Sequence, residues 1–166
     1  MVAFHGLSLR LTRNVVEMDG RTLYALCAGD GLFIHDLLGR PARVRSTDPI
    51  TGETLSLFLE DSRVREAEPS TAVLSMPWPD GPFGDLVGDD LIPAVCGPIN
   101  VFGSEEAGRE FTERTAGIFL LTIEEGLELF RLINRGTVRL GSRGRRWSIT
   151  GRVPDDDAHP ATDRDL

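Results

Sequence analysis

Val16-Glu17-Met18-Asp19-Gly20-Arg21-Thr22-Leu23-Tyr24-Ala25-Leu26-Cys27-Ala28-Gly29-Asp30 is the stretch on which the architecture turns. Residues 14–18 read as a short extended segment, Asp19-Gly20 as a turn dipeptide, and 21–27 as a strand rich in apolar residues. Asp30-Gly31 breaks the extended pattern. Leu32, Phe33, Ile34, Leu37 and Leu38 then fit a short helix, closed by Gly39 with Pro41 just beyond. A hairpin that runs directly into a helix is thus the first unit of the fold.

Outward from this unit, strands dominate. Residues 7–11 alternate apolar with polar, and 42–46 and 54–59 form a hairpin around Asp48-Pro49-Ile50-Thr51-Gly52. Residues 64–68 and 71–76 are further strands. The stretch 77–93 reads as loop, with Trp78 and Phe83 among four prolines; the two aromatics could lid a cleft or simply pack the loop. Residues 94–102 read as a strand interrupted early by Gly97-Pro98. Ser104 is a helix N-cap with Glu105 and Glu106 in the first turn. Residues 118–123 are a strand, and Thr122 with Glu125 makes a capping-box pattern for a helix over 124–134. Strands with three helices inserted at separated points predict an α+β domain on a mostly antiparallel sheet, not a regular βαβ alternation.

The chain has 166 residues, enough for one domain with a proper core, and its 40% hydrophobic content is that of a soluble globule. No apolar run approaches the roughly 20 residues that cross a bilayer, and residues 1–13 lack the pattern of a signal peptide; a cytoplasmic protein is expected. The net charge of −8 argues against nucleic acid as a partner. Seven arginines (131, 135, 139, 143, 145, 146 and 152) fall in 129–153 without one acid. They fit an arginine-rich helix end running into a solvated tail better than a sticky basic surface. Gly151 to Leu166 has too little apolar content to pack, so disorder is expected there. The division expected is a core over 1–136 and an Arg-rich, then acidic, partly disordered extension over 137–166. Lysine is absent, which excludes Schiff-base chemistry.

Cys27 and Cys96 are the only cysteines, too few for a disulfide framework. Taken alone they could be two unrelated buried thiols, since free cysteine packs as a small apolar residue. Their placement allows more. Cys27 ends a strand and Asp30 opens the next helix, a junction whose unpaired backbone N–H groups stabilise a thiolate. Cys96 lies beside Gly97-Pro98, where a bent backbone can turn a side chain into a cleft. His5, His35 and His159 are scattered, and each fits a surface or packing role better than that of a ligand. Asp36 is expected to face solvent. No four-ligand zinc pattern, P-loop, dinucleotide fingerprint or Gly-x-Ser-x-Gly motif is present.

From about Phe4 to Arg135 the segments resemble the catalytic core of organomercurial (alkylmercury) lyases. The likeness is carried by Gly6-Leu7-Ser8-Leu9, by Val16 to Ala25, and by Leu38-Gly39-Arg40-Pro41-Ala42-Arg43-Val44. Thr51-Gly52, Ala67-Glu68-Pro69 and Cys96 through Val101-Phe102-Gly103-Ser104 continue it. The resemblance implies that Cys27, Asp30 and Cys96 are the catalytic set and the residues that meet mercury. It implies protonolysis of a carbon–mercury bond in mercury detoxification, giving a hydrocarbon and Hg(II). Thiolate is the softest ligand a protein offers to soft mercury, and the departing carbon needs a proton, for which Asp30 is the candidate donor, either from its own protonated form or by relaying the proton of a thiol. No dissociable organic cofactor is implied. A small thiol or a mercuric reductase would accept the Hg(II).

Other outcomes of the same resemblance are a homologue repurposed for a biosynthetic reaction in the same cleft, and a soft-metal-binding protein without turnover. Three departures bear on scope. The core is expected to start within a few residues of Met1, without the N-terminal helical domain that precedes it in the full-length family. The tryptophan common before the first cysteine is Leu26. The Cys and His neighbours that often follow the second are replaced by Gly97, Pro98 and Asn100.

Overall fold

The computed structural model describes residues 3–4, 6–78, 95–134, 138–140 and 147–149. Twelve strands and three helices fall within them: β1 (Ala3–Phe4), β2 (Leu7–Ser8), β3 (Asn14–Met18), β4 (Arg21–Ala25), α1 (Ala28–Leu38), β5 (Ala42–Thr47), β6 (Thr54–Glu60), β7 (Arg63–Glu68), β8 (Val73–Pro77), β9 (Val101–Phe102), α2 (Glu105–Arg114), β10 (Ile118–Thr122), α3 (Ile123–Asn134), β11 (Val138–Leu140) and β12 (Trp147–Ile149). Seven strands make one sheet in the order β1-β2-β4-β3-β5-β6-β7, three make a second in the order β10-β8-β9, and β11-β12 form a ribbon. Every pairing is antiparallel. The architecture is α+β, as the strand-rich order predicts.

Asp19 (φ 50°) and Gly20 (φ 71°) both take left-handed backbone, the conformation that lets a two-residue turn follow the twist of its strands. Along β3, β5 and β6 burial alternates, so one face of the sheet is packed and the other is open. Val16, Val44, Leu55, Leu57 and Leu59 point to the packed face. Burying each such side chain contributes roughly 1.5–3 kcal/mol. On the open face Arg43 pairs with Glu66 (3.2 Å) and Arg45 pairs with Glu17.

Helix α1 lies on the packed face against β3, β4, β5 and β6, and α3 lies alongside α1. The close approach needs Gly29, where an added Cβ would sit 2.1 Å from Phe130 Cζ of α3. Leu32 and Ile34 of α1, Leu74 and Met76 of β8, and Ile123 and Leu127 of α3 complete one continuous core. Gly39, at φ 61°, ends α1, the left-handed stop its position predicts. Ser104 Oγ accepts the Ala107 N–H at 3.2 Å to cap α2. Thr122 and Glu125 exchange the two bonds of a capping box at the start of α3 (3.1 and 2.8 Å).

Three local expectations are corrected. Residues 94–102 are not one interrupted strand: residues 95–96 are helical, Gly97-Pro98 turn, and only Val101–Phe102 pairs. An apolar run as short as Ala-Val-Cys suits helix and strand equally. Over 7–11 only Leu7–Ser8 is strand, with Leu9 and Leu11 exposed. Asp36 does not face solvent alone; it accepts from Ser62 Oγ and lies 3.9 Å from Arg131 Nε. Phe83, His5, His159 and the segment expected to be disordered after about 150 lie outside the described residues. Trp78, 55% exposed, stacks on Phe119 with centroids 4.4 Å apart. No helix among the described residues is long and apolar enough to cross a membrane.

Candidate active site

Cys27 is the N-cap of α1 and Asp30 its third residue. The chain leaves β4 extended, and Asp30 Oδ2 reaches back to accept the Cys27 backbone N–H at 3.2 Å. A carboxylate placed there satisfies an orphan N–H and complements the positive end of the helix dipole. The same oxygen accepts from Cys27 Sγ at 3.1 Å. Below Asp30 lies Gly6, where an added Cβ would meet Asp30 Oδ1 at 2.5 Å. Gly6 is held there because its carbonyl accepts the Leu26 N–H at 2.8 Å.

Cys96 arrives from the other side of the fold. Ile99 N–H donates to the Cys96 carbonyl at 3.2 Å, and the Ile99 carbonyl accepts the Ala28 N–H at 3.4 Å. The turn that carries Cys96 is thereby tied to the first residue of α1. Cys27 Sγ, Cys96 Sγ and an Asp30 carboxylate oxygen all lie within 4.8 Å of one another, and no other group of three Cys, His, Asp or Glu ligands converges in this way among the described residues. Both thiols are free.

The environment separates the two thiols. Cys27 is only 3% exposed. Its pKa is pushed well above the ordinary thiol range by the adjoining Cys96 thiol, then by burial and the charge of Asp30. Cys96, half-buried, is lowered because the adjoining Cys27 thiol favours its thiolate, against burial and the Asp30 charge. Asp30 is raised by burial, while the hydrogen bonds from the Cys27 side chain and backbone pull the other way. The site therefore pairs a thiol that gives up its proton more readily than usual with one that holds it more tightly, beside a carboxylate made unusually basic.

Both thiols line a cavity of about 160 Å³ with Arg13, Asn14, Leu26 and Gly97 in its wall. That is below the roughly 300–1,000 Å³ of drug-sized pockets, so it suits a compact ligand. A larger hollow of about 510 Å³ between the β6–β7 turn and α3 is walled by Asp61, Arg63, Glu124, Glu128 and Arg131. It is lined by no cysteine, histidine or methionine, and so by no soft donor.

The sequence pattern missed the polar residues that hold this geometry. Ser75 and Asn100 are buried and bond the turn that carries Cys96. Asn14, in the cavity wall, accepts from Ser46 Oγ at 2.9 Å. Each sits in a strand or loop where a small polar residue reads as solvated. Only the burial reveals them.

The alkylmercury lyase family model matches residues 7–134. Alkylmercury lyases of Bacillus cereus (34% identical over 128 residues, 77% of this chain and 56% of the relative) and Streptomyces lividans (33% over 126 residues, 76% and 56%) are similar to it. So is that of Pseudomonas putida (33% over 128 residues, 77% and 58%). The chain thus spans little more than half the length of these relatives. A crystal structure of the mercury-bound form of MerB2 shares the fold, with a TM-score of 0.63 at 23% identity over 77% of this chain and 60% of that one. By the extent of the family match, this chain belongs to the alkylmercury lyase family.

Proposed function

We propose that the chain cleaves carbon–mercury bonds by protonolysis, with Cys96, Cys27 and Asp30 as its catalytic residues. The observation that carries this reading is the convergence of two sulfurs and one carboxylate within 4.8 Å. Cys96, the thiol that ionises more readily of the two, attacks as its thiolate, displaces the ligand of R–Hg–X and binds R–Hg⁺. The Cys27 proton passes to Asp30, whose carboxylate already accepts from that thiol at 3.1 Å, and the freed Cys27 sulfur becomes the second ligand. Two thiolates raise the electron density on mercury. Asp30 then protonates the carbon as the carbon–mercury pair of electrons moves to it. R–Hg⁺, one thiolate and one thiol give R–H and neutral bis-thiolate Hg(II), and Asp30 ends as it began.

Mercury is substrate and product here, and the scheme asks for no organic cofactor. The Hg(II) leaves by exchange onto a small thiol or a mercuric reductase, in the cytoplasm where such thiols stay reduced. Leu26 in the wall gives R an aliphatic neighbour, which suits small alkyl groups. Residues 1–136 are the catalytic unit, and 137–166 stand outside the chemistry.

The test is hydrocarbon release from phenylmercury and methylmercury. Release by the wild-type chain is expected, rising with pH as Cys96 ionises below the ordinary thiol range, and lost in Cys96→Ala and Asp30→Ala. Release that persists unchanged in either variant would refute the assigned roles. Tight stoichiometric binding without hydrocarbon would replace the lyase with a metal-holding protein.

A further inference from the structure

Strand β9 pairs with β8 through Val73↔Phe102 and Leu74↔Val101. One step further the ladder ends: Ser75 N–H still donates to the Asn100 carbonyl at 2.9 Å, but the chain before Asn100 departs toward Cys96. At that step the side chain of Ser75 takes over from the backbone. Its hydroxyl donates to the Pro98 carbonyl at 2.5 Å and accepts the Asn100 N–H at 3.1 Å. Ser75 is 0% exposed, so water cannot replace it at either bond. Asn100 extends the clamp, its Nδ2 donating to the Gly97 carbonyl at 2.8 Å. Three of the four residues that follow Cys96 are therefore held, directly or through one partner, by a hydroxyl on a strand otherwise devoted to the core.

We propose that Ser75, with Asn100 as its relay, is a positioning residue that fixes the Cys96 sulfur at chelating distance from Cys27. It touches no reacting atom. Among the described residues, the backbone bond that ties the Cys96 turn to the Cys27 side is the long Ala28 N–H to Ile99 carbonyl contact (3.4 Å), which is weak at that length. The β8 clamp is the stronger restraint. Without it the turn is free to drift by a fraction of an ångström to an ångström, and a displacement of about 1 Å costs on the order of 10²-fold in an oriented reaction. The proposal rests on the two-thiolate reading above, so its test includes measurements that do not need turnover.

The variants are Ser75→Ala, which removes both hydroxyl bonds, Ser75→Thr, which restores the hydroxyl, and Asn100→Ala, which removes only the amide link to Gly97. In Ser75→Ala, Hg(II) retention against a competing small thiol is expected to fall about tenfold or more as chelation gives way to single-thiol binding. The pH of half-alkylation of Cys96 by iodoacetamide is expected to rise toward that of an ordinary thiol. Phenylmercury kcat falls with little change in KM, and Ser75→Thr recovers all three. Asn100→Ala moves the same readouts in the same direction by less, and it decides the matter should Ser75→Ala not fold. A Ser75→Ala protein that melts earlier yet keeps Hg(II) retention and the Cys96 alkylation profile would reduce Ser75 to a core residue and overturn the proposal. If the wild type releases no hydrocarbon, the lyase reading fails, while retention and alkylation still judge Ser75.

Discussion

The two ends of α1 both bury ionisable groups, yet only one end is built for chemistry. At the C-terminal end His35, 2% exposed, donates from Nδ1 to the Leu32 carbonyl at 2.6 Å, and its Nε2 has no partner among the described residues. Asp36, Arg131 and Ser62 surround it in fixed pairs. At the N-terminal end Cys27 donates to Asp30, and Cys27 and Cys96 line an open cavity. Buried charge alone does not mark an active site. What separates the two ends is that one gathers two soft donors with unlike proton affinities beside a carboxylate, while the other, which also borders a small cavity, offers no thiol.

Four substitutions probe that contrast, in falling order of effect. Asp30→Asn should cut hydrocarbon release by about 10²–10⁴-fold, the usual worth of general acid help, while leaving the protein at least as stable. The sign follows from the raised pKa: the native state holds this proton longer than the unfolded chain, so stability falls as pH rises from 3.8 through the folded value. Asparagine removes that cost. Thermal melting at pH 7 alongside product assay checks both halves, and a large loss of stability would contradict the carboxylate's assignment to chemistry.

Gly29→Ala should destabilise by about 1–3 kcal/mol, the cost of overpacking, because its Cβ would collide with Phe130. Denaturant unfolding measures it; a neutral result would mean that α1 and α3 sit farther apart than described. His35→Gln should change the pH dependence of stability. Burial lowers the His35 pKa below 6.5, with Asp36 opposing and Arg131 adding to the shift. The unfolded chain therefore binds the proton first, and stability is lost as pH falls below 6.5, with a slope of at most about 1.4 kcal/mol per pH unit. The variant should lose that slope; a wild type already flat between pH 6.5 and 5 would exclude it. Last, Arg109→Ala on α2 removes an exposed pair with Glu105, worth about 0.3–0.5 kcal/mol. It should leave the denaturation midpoint almost unmoved and activity untouched.

Much of the framework was legible from local chemistry. Asp19-Gly20, Gly39, Ser104 and the Thr122–Glu125 pair each specify a backbone conformation within a few residues, so their turns and caps follow from sequence. The meeting of Cys27 with Cys96 was legible only through family resemblance, because nothing local dictates a contact across 69 positions (96 − 27). Cys96's helical turn was not legible at all. Nor was Asp48, which reads as a turn former at a hairpin tip. It is buried, and besides the N–H groups of Ile50 and Thr51 its carboxylate accepts that of Gly103 at 2.9 Å. Such long-range polar contacts carry no periodic trace in the chain.

Gly6 shows how far the site extends along the chain. Its φ of +80° and the 2.5 Å gap from its missing Cβ to Asp30 leave no room for any other residue while that carboxylate stays seated. A library randomised at every position and selected for mercury resistance should therefore return glycine here as stringently as at Cys27, although Gly6 has no side chain to offer a substrate. Across the open sheet face, at Arg43, Arg45 and Glu66, the same selection should accept almost anything polar.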